Sequence, residues 1–88
     1  METIQAYNER NISGIKEEDI NISITGTVVK REDNGFVIDD GSQSLKVLME
    51  NSVKDNDYVR IFGKIVRSNE GLVLYGDALQ DLSKIDKF

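Results

Sequence analysis

From residue 20 the chain alternates. Ile20, Ile22, Ile24, Gly26 and Val28 take every second place, with Asn21, Ser23, Thr25 and Thr27 between them. Alternation of this length describes a strand with one buried face. Gly26 inside it marks a bulge or a sharp bend. The strand is predicted over 20–31 and ends at Lys30 and Arg31, where Glu32, Asp33, Asn34 and Gly35 form a turn. A second, short strand is predicted over 36–38. A third covers 44–49, with Leu45, Val47 and Met49 inward and Ser44, Lys46 and Leu48 outward. Residues 50–57 are polar apart from Val53 and read as a loop or at most one helical turn. The fourth strand, 58–67, sets Val59, Ile61 and Ile65 against Arg60, Phe62 and Lys64, and a turn at 68–71 leads to a fifth over 72–79.

At the end of the chain the period changes. Leu79, Leu82, Ile85 and Phe88 are three apart, which predicts a short C-terminal helix starting near Asp81. The first nineteen residues show no period, and Ile12 and Ile15 are the ones expected to tuck against a core. The expected organisation is an N-terminal extension (1–19), partly mobile, a barrel (20–79) and a helical segment (80–88). Five short strands without proline, with a bend in the first and a spacer between the third and fourth, fit an all-β, five-stranded closed barrel of the OB type. An SH3-like barrel has a similar strand count. The long first strand, shared between two halves of a barrel, favours the OB arrangement.

Composition narrows the chemistry. Among 88 residues there is neither cysteine nor histidine. Disulfides, Cys/His zinc sites and His-dependent nucleophilic catalysis are therefore outside its reach. No cofactor is expected, and the chain reads as a binding protein, not an enzyme. Residues 1–19 lack a basic start followed by an apolar core, and no apolar run nears the ~20 residues of a membrane helix. The expectation is a cytoplasmic protein with no membrane partner. Asp39-Asp40-Gly41 could belong to a metal loop, a catalytic carboxylate pair or a tight turn. The acids at alternating offsets that a calcium loop needs are missing, and neighbouring residues on a hairpin point to opposite faces. Asp-Gly between two alternating runs is a turn.

The net charge of −5 counts against nucleic acid, but its distribution does not. In the predicted strands the bases are Lys30, Arg31, Lys46, Arg60, Lys64 and Arg67, against the single acid Asp77, while the turns hold most of the acids. Basic strands with acidic edges can hold a phosphate backbone locally, although charges are also ordinary on a solvent-facing strand. Lys46 and outward Leu48 lie where a groove would cross the sheet, with Lys30, Arg31 and Arg67 flanking it. Phe36 shares the parity of Ile38 and belongs to the core, which leaves Phe62 and Tyr75 as aromatic candidates for stacking bases.

The runs ITGTVVK (24–30), FVIDDGS (36–42), DYVRIFGKIV (57–66) and the final ALQDLSKIDKF resemble small OB domains of the replication protein A family, especially short archaeal members. The resemblance spans about residues 20–88. It implies binding of single-stranded DNA, or a scaffolding place among other replication protein A-like subunits. In the second case Leu82, Ile85 and Phe88 would form the partner interface. An RNA-binding OB domain of the anticodon-binding type would use the same groove.

Overall fold

The computed structural model describes residues 6–69 and 71–83. Among these residues it is all-β apart from a single 3-10 turn at Ile12–Gly14. The strands are β1 (Asn8–Glu9), β2 (Asn21–Glu32), β3 (Gly35–Asp39), β4 (Ser44–Leu48), β5 (Tyr58–Ser68) and β6 (Gly71–Asp81). β2, β3, β4, β6 and β5 are neighbours in that order, and β2 pairs again with β5, so five strands close into a barrel. All pairings within the barrel are antiparallel except β4 with β6.

The alternation of the sequence becomes the inside of this barrel. Ile22, Ile24 and Val28 of β2, Phe36 and Ile38 of β3, Leu45 and Val47 of β4, Val59, Ile61 and Ile65 of β5 and Leu74 of β6 are buried together. β2 serves both halves. Its residues 21–27 pair with β5, and residues 27–32 pair with β3. Gly26 sits at the changeover, where a Cβ would come within 2.8 Å of the Asp39 carbonyl oxygen, so only glycine lets the two backbones meet.

Two bulges tune the register. Val28 pairs with Ile38 but Lys30 pairs with Val37, which leaves Val29 as an extra residue, 50% exposed. The other falls on β6, where Phe62 pairs with Ala78 and Gly63 with Gly76, leaving out Asp77. The first bulge is pinned by the 54–57 turn: the Val28 amide donates to the Asp57 carbonyl at 2.8 Å, and the Asn56 amide donates to the Val28 carbonyl at 2.7 Å. Val53, the one apolar residue of that loop, is buried.

The C-terminal expectation requires correction. β6 continues to Asp81, so residues 79–81 are strand and not the start of a helix. Val59, Arg60 and Ile61 need an antiparallel partner, and Asp81, Gln80 and Leu79 supply it. Leu79 packs on the core, and the Leu82 amide donates to the Tyr58 carbonyl at 2.8 Å. The bulge at Asp77 explains instead why Leu74 and Leu79, an odd number of residues apart, both face the core. Leu82 and Ser83 follow the strand without helix, and the rest of the predicted helix, with Ile85 and Phe88, lies outside the described residues.

The segment before β2 is fastened to the barrel at several points. β1 runs parallel to β2, Ile12 is buried and Ile15 packs on the core. Two aspartates fasten it. Asp19, 3% exposed, receives Nε and Nη2 of Arg10 at 2.8 and 3.1 Å and the Lys16 amide at 2.8 Å. Asp40 receives the Ile12 amide at 2.7 Å, the Ser42 amide and hydroxyl at 2.9 and 2.7 Å, and the Gln43 amide at 3.2 Å. Asp39 accepts from the Gly41 amide at 2.7 Å, and Gly41 has a φ of 94°, so the acidic stretch is a hairpin turn whose second carboxylate also ties down the N-terminal segment.

Both anchoring carboxyls have pKa values below the ordinary carboxylate range. For Asp19 the hydrogen bond from Arg10 is the main cause, helped by the Lys16 amide and opposed by burial. For Asp40 burial acts upward as the largest single effect, but the donors from Ser42, Ile12 and Gln43 together outweigh it. A depressed folded pKa stabilises the fold above the unfolded value and loses that stabilisation as the pH falls through the folded one. Melting temperature should therefore drop as the pH is lowered below the ordinary value of 3.8. Asp19→Asn and Asp40→Asn should melt lower at neutral pH and show a flatter acid dependence in thermal scans followed by circular dichroism. Gly26→Val should cost about 1–3 kcal/mol in urea denaturation, the scale of an overpacked site.

Candidate nucleic-acid interface

The bulge at Val29 decides which charges share a face. Without the extra residue Lys30 would follow Val28 inward by parity. With it, Lys30 stands opposite Val37, Val37 opposite Lys46, Lys46 opposite Val73 and Val73 opposite Val66. A second outward row runs from Glu32 through Gly35, Leu48 and Tyr75 to Lys64. These two rows cross all five strands of the barrel and form one continuous outer face. Leu48, Val37 and Val73 are half-buried on it, whereas Tyr75 is 49% and Val66 41% exposed.

Five predicted residues meet on this face: Lys30, Lys46, Leu48, Lys64 and Tyr75. Arg31, paired with buried Phe36, turns to the other side of β2 and lies 3.5 Å from Asp55. With Glu32, Gly35, Val53, Lys54, Asn51 and Ser52 it lines an open cavity of about 400 Å³ beside the face. Arg60 and Phe62 sit further along β5, past the stretch of β6 that meets β4. Arg60 donates to Thr25 Oγ1 at 3.3 Å and Gln80 Oε1 at 3.1 Å. Phe62 is half-buried and meets Tyr7 edge-on, with ring centroids 5.4 Å apart, while the Tyr7 hydroxyl donates to Asp77. Arg67 closes one end of the barrel by donating to the Asp19 and Lys16 carbonyls. Among the proposed partner-contact residues, Leu82 is half-buried, and Ile85 and Phe88 lie outside the described residues.

Glu32 is the member of the face that the sequence reading left among the turn acids. Its Oε1 lies 2.9 Å from Lys46 Nζ and its Oε2 3.8 Å from Lys30 Nζ. The Lys46 ammonium holds its carboxyl below the usual range against the opposing effect of burial, and Lys30 adds to the pull. The adjacent pair Val28-Val29, which interrupts the alternation, is the sequence signal that would have moved Glu32 and Lys30 onto this face.

No family model matches the chain, and no curated protein matches it. Among solved structures it is similar to that of the hypothetical protein ygiW from E. coli, with a TM-score of 0.65, 16% sequence identity, and coverage of 88% of this chain and 90% of that one. At that identity the shared property is the barrel fold.

The two aromatic sites differ in what they support. Phe62→Ala removes a ring packed between strand and Tyr7 and should cost about 1–3 kcal/mol, below the range for a fully buried phenylalanine. Tyr75→Ala should change stability by about 0.5 kcal/mol or less, as surface substitutions do. Paired urea titrations read both.

Proposed function

We propose that this barrel is an OB-fold domain that binds single-stranded nucleic acid, DNA by its resemblance to the replication protein A family, as a replication protein A-like small subunit and not as an enzyme. The observation that carries the reading is the outer face on which Lys30, Lys46 and Lys64 surround Leu48, Tyr75 and three valines. Single-strand binders combine a cationic track for the backbone with flat apolar side chains against which bases stack. The strand order supports it too, since a five-stranded barrel whose third and fifth strands run parallel is the arrangement that binds oligonucleotides across its second and third strands. In this mechanism Lys30, Lys46 and Lys64 follow phosphates, Tyr75 and Leu48 support bases, and little sequence is read.

A second reading, an assembly module within a multi-subunit single-strand binder, draws on a different surface. Exposed Val29 and Tyr58 line an open groove of about 450 Å³ with Thr25, Thr27, Asp39 and Asp40. An acidic groove with two exposed apolar side chains suits a protein partner and repels a phosphate backbone.

Fluorescence anisotropy with labelled oligothymidylate and oligouridylate, at low and moderate salt, tests the first reading. Single strands should bind better than duplex. A logarithmic salt slope between about −1.4 and −2 is expected, for two or three phosphates neutralised at about 0.7 each. Lys46→Ala should weaken binding and flatten the slope, and Tyr75→Ala should cost about 1–3 kcal/mol of stacking. Absence of binding at low salt and high protein concentration would overturn the reading.

A further inference from the structure

We propose that Glu32 occupies a phosphate seat: its carboxylate holds Lys30 and Lys46 as an internal stand-in for a backbone phosphodiester, which must displace it to bind. This deepens the nucleic-acid reading of the face and rests on it.

The geometry is that of an anion site already filled. Lys30 and Lys46 come from β2 and β4, on either side of β3, and stand in one row with only Val37 between them. Glu32 lies in the next row and reaches back so that each carboxylate oxygen faces one ammonium, at 2.9 and 3.8 Å. A phosphodiester presents the same features to the two lysines, one negative charge shared by two oxygens.

Oε1 of Glu32 is shut off from solvent with Lys46 Nζ 2.9 Å away, and the contact of Oε2 with Lys30 Nζ is the longer one, at 3.8 Å. Removing this carboxylate costs the Lys46 contact, and a phosphodiester oxygen on the same ammonium restores it. The displaced carboxylate has somewhere to go. Glu32 ends β2, immediately before the Asp33-Asn34 turn, and borders the cavity that contains Arg31, Lys54, Asn51 and Ser52. A rotated carboxylate would face Lys54 and an Arg31 shared with Asp55 there, so the exchange leaves the lysines and the glutamate each beside an opposite charge. The face thus carries three lysines but, with Glu32 in place, offers an incoming strand less positive charge than its lysine count implies.

The test compares Glu32→Gln with Asp33→Asn. Both remove one negative charge from the same hairpin, but Asp33 is exposed and in none of the ion pairs of the face. Labelled oligothymidylate is titrated by anisotropy into wild type and each variant over a series of salt concentrations. Glu32→Gln should bind roughly three- to tenfold more tightly, the effect of releasing one or two partly exposed ion pairs. Its logarithmic salt slope should stay close to that of wild type, because the same phosphate occupies the seat in both. Asp33→Asn should stay within about twofold of wild type, since its charge is remote and screened. In wild-type protein, which needs no substitution, the carboxyl carbon resonance of Glu32 should move on adding oligonucleotide, and that of Asp33 should not. If wild type binds with the expected salt dependence while Glu32→Gln gains no more than Asp33→Asn, or the Glu32 resonance stays still, the seat is refuted and the binding face stands. Absence of binding by both would remove the seat and the functional reading together.

Discussion

The structure depends on one strand being paired twice. β2 must leave β5 and take up β3 within a few residues, and the barrel closes only if its backbone can do so without losing hydrogen bonds. Gly26 removes the steric obstacle at the crossing, and the bulge at Val29 supplies the turn of the strand. A bulge leaves ladder groups unpaired, and here the 54–57 turn reaches across to donate to and accept from Val28. The loop that looks least structured in the sequence therefore holds the bend on which closure rests. The same bend rotates Lys30 and Glu32 to the outside and Arg31 to the opposite side, so barrel geometry and the charge pattern of the face have one origin.

Much of the barrel was legible because its inner faces obey period two. Ile22, Ile24, Leu45, Val47, Val59 and Ile61 announced themselves by alternation, and each is buried. Asp39 and Asp40 were legible as a turn for the same reason, being flanked by alternating runs. What escaped is what depends on partners remote in sequence. The continuation of β6 to Asp81 follows from β5 having residues left to pair, whereas the local spacing of Leu79 and Leu82 suggests a helix equally well. Arg67 looked like a groove residue because it is basic and near a turn. In the fold it follows the inward parity of Ile65 to the barrel end, where the carbonyls of Lys16 and Asp19 take its donors. Arg60 likewise settles on Thr25 and Gln80. A base can be read from sequence, but not whether carbonyls and side chains from elsewhere have already engaged it.

The acidic balance of the chain looks different once each acid has a position. Asp19 and Asp40 fasten the N-terminal segment, Asp57 accepts the Lys54 amide within the turn that pins the bulge, and Asp39 shapes a hairpin. Several of the negative charges that argue against an anionic ligand are therefore structural acceptors, away from the row of lysines. Net charge describes how the molecule behaves at a distance. At contact range the local arrangement governs, and there the relevant acid is Glu32.

The parallel seam between β4 and β6 is short, with Lys46, Val47 and Leu48 matched to Val73, Leu74 and Tyr75. Every other junction in the barrel is longer. A closed sheet yields first where the fewest pairs must break together, so this is the joint at which small native-state openings are expected to begin. Lys46, Leu48 and Tyr75 stand on its two lips. The barrel thus combines a rigid wall, formed by the long β5–β6 and β2–β5 ladders, with a compliant slit beneath its candidate binding surface. Opening there would let the spacing of its side chains adjust to an irregular strand.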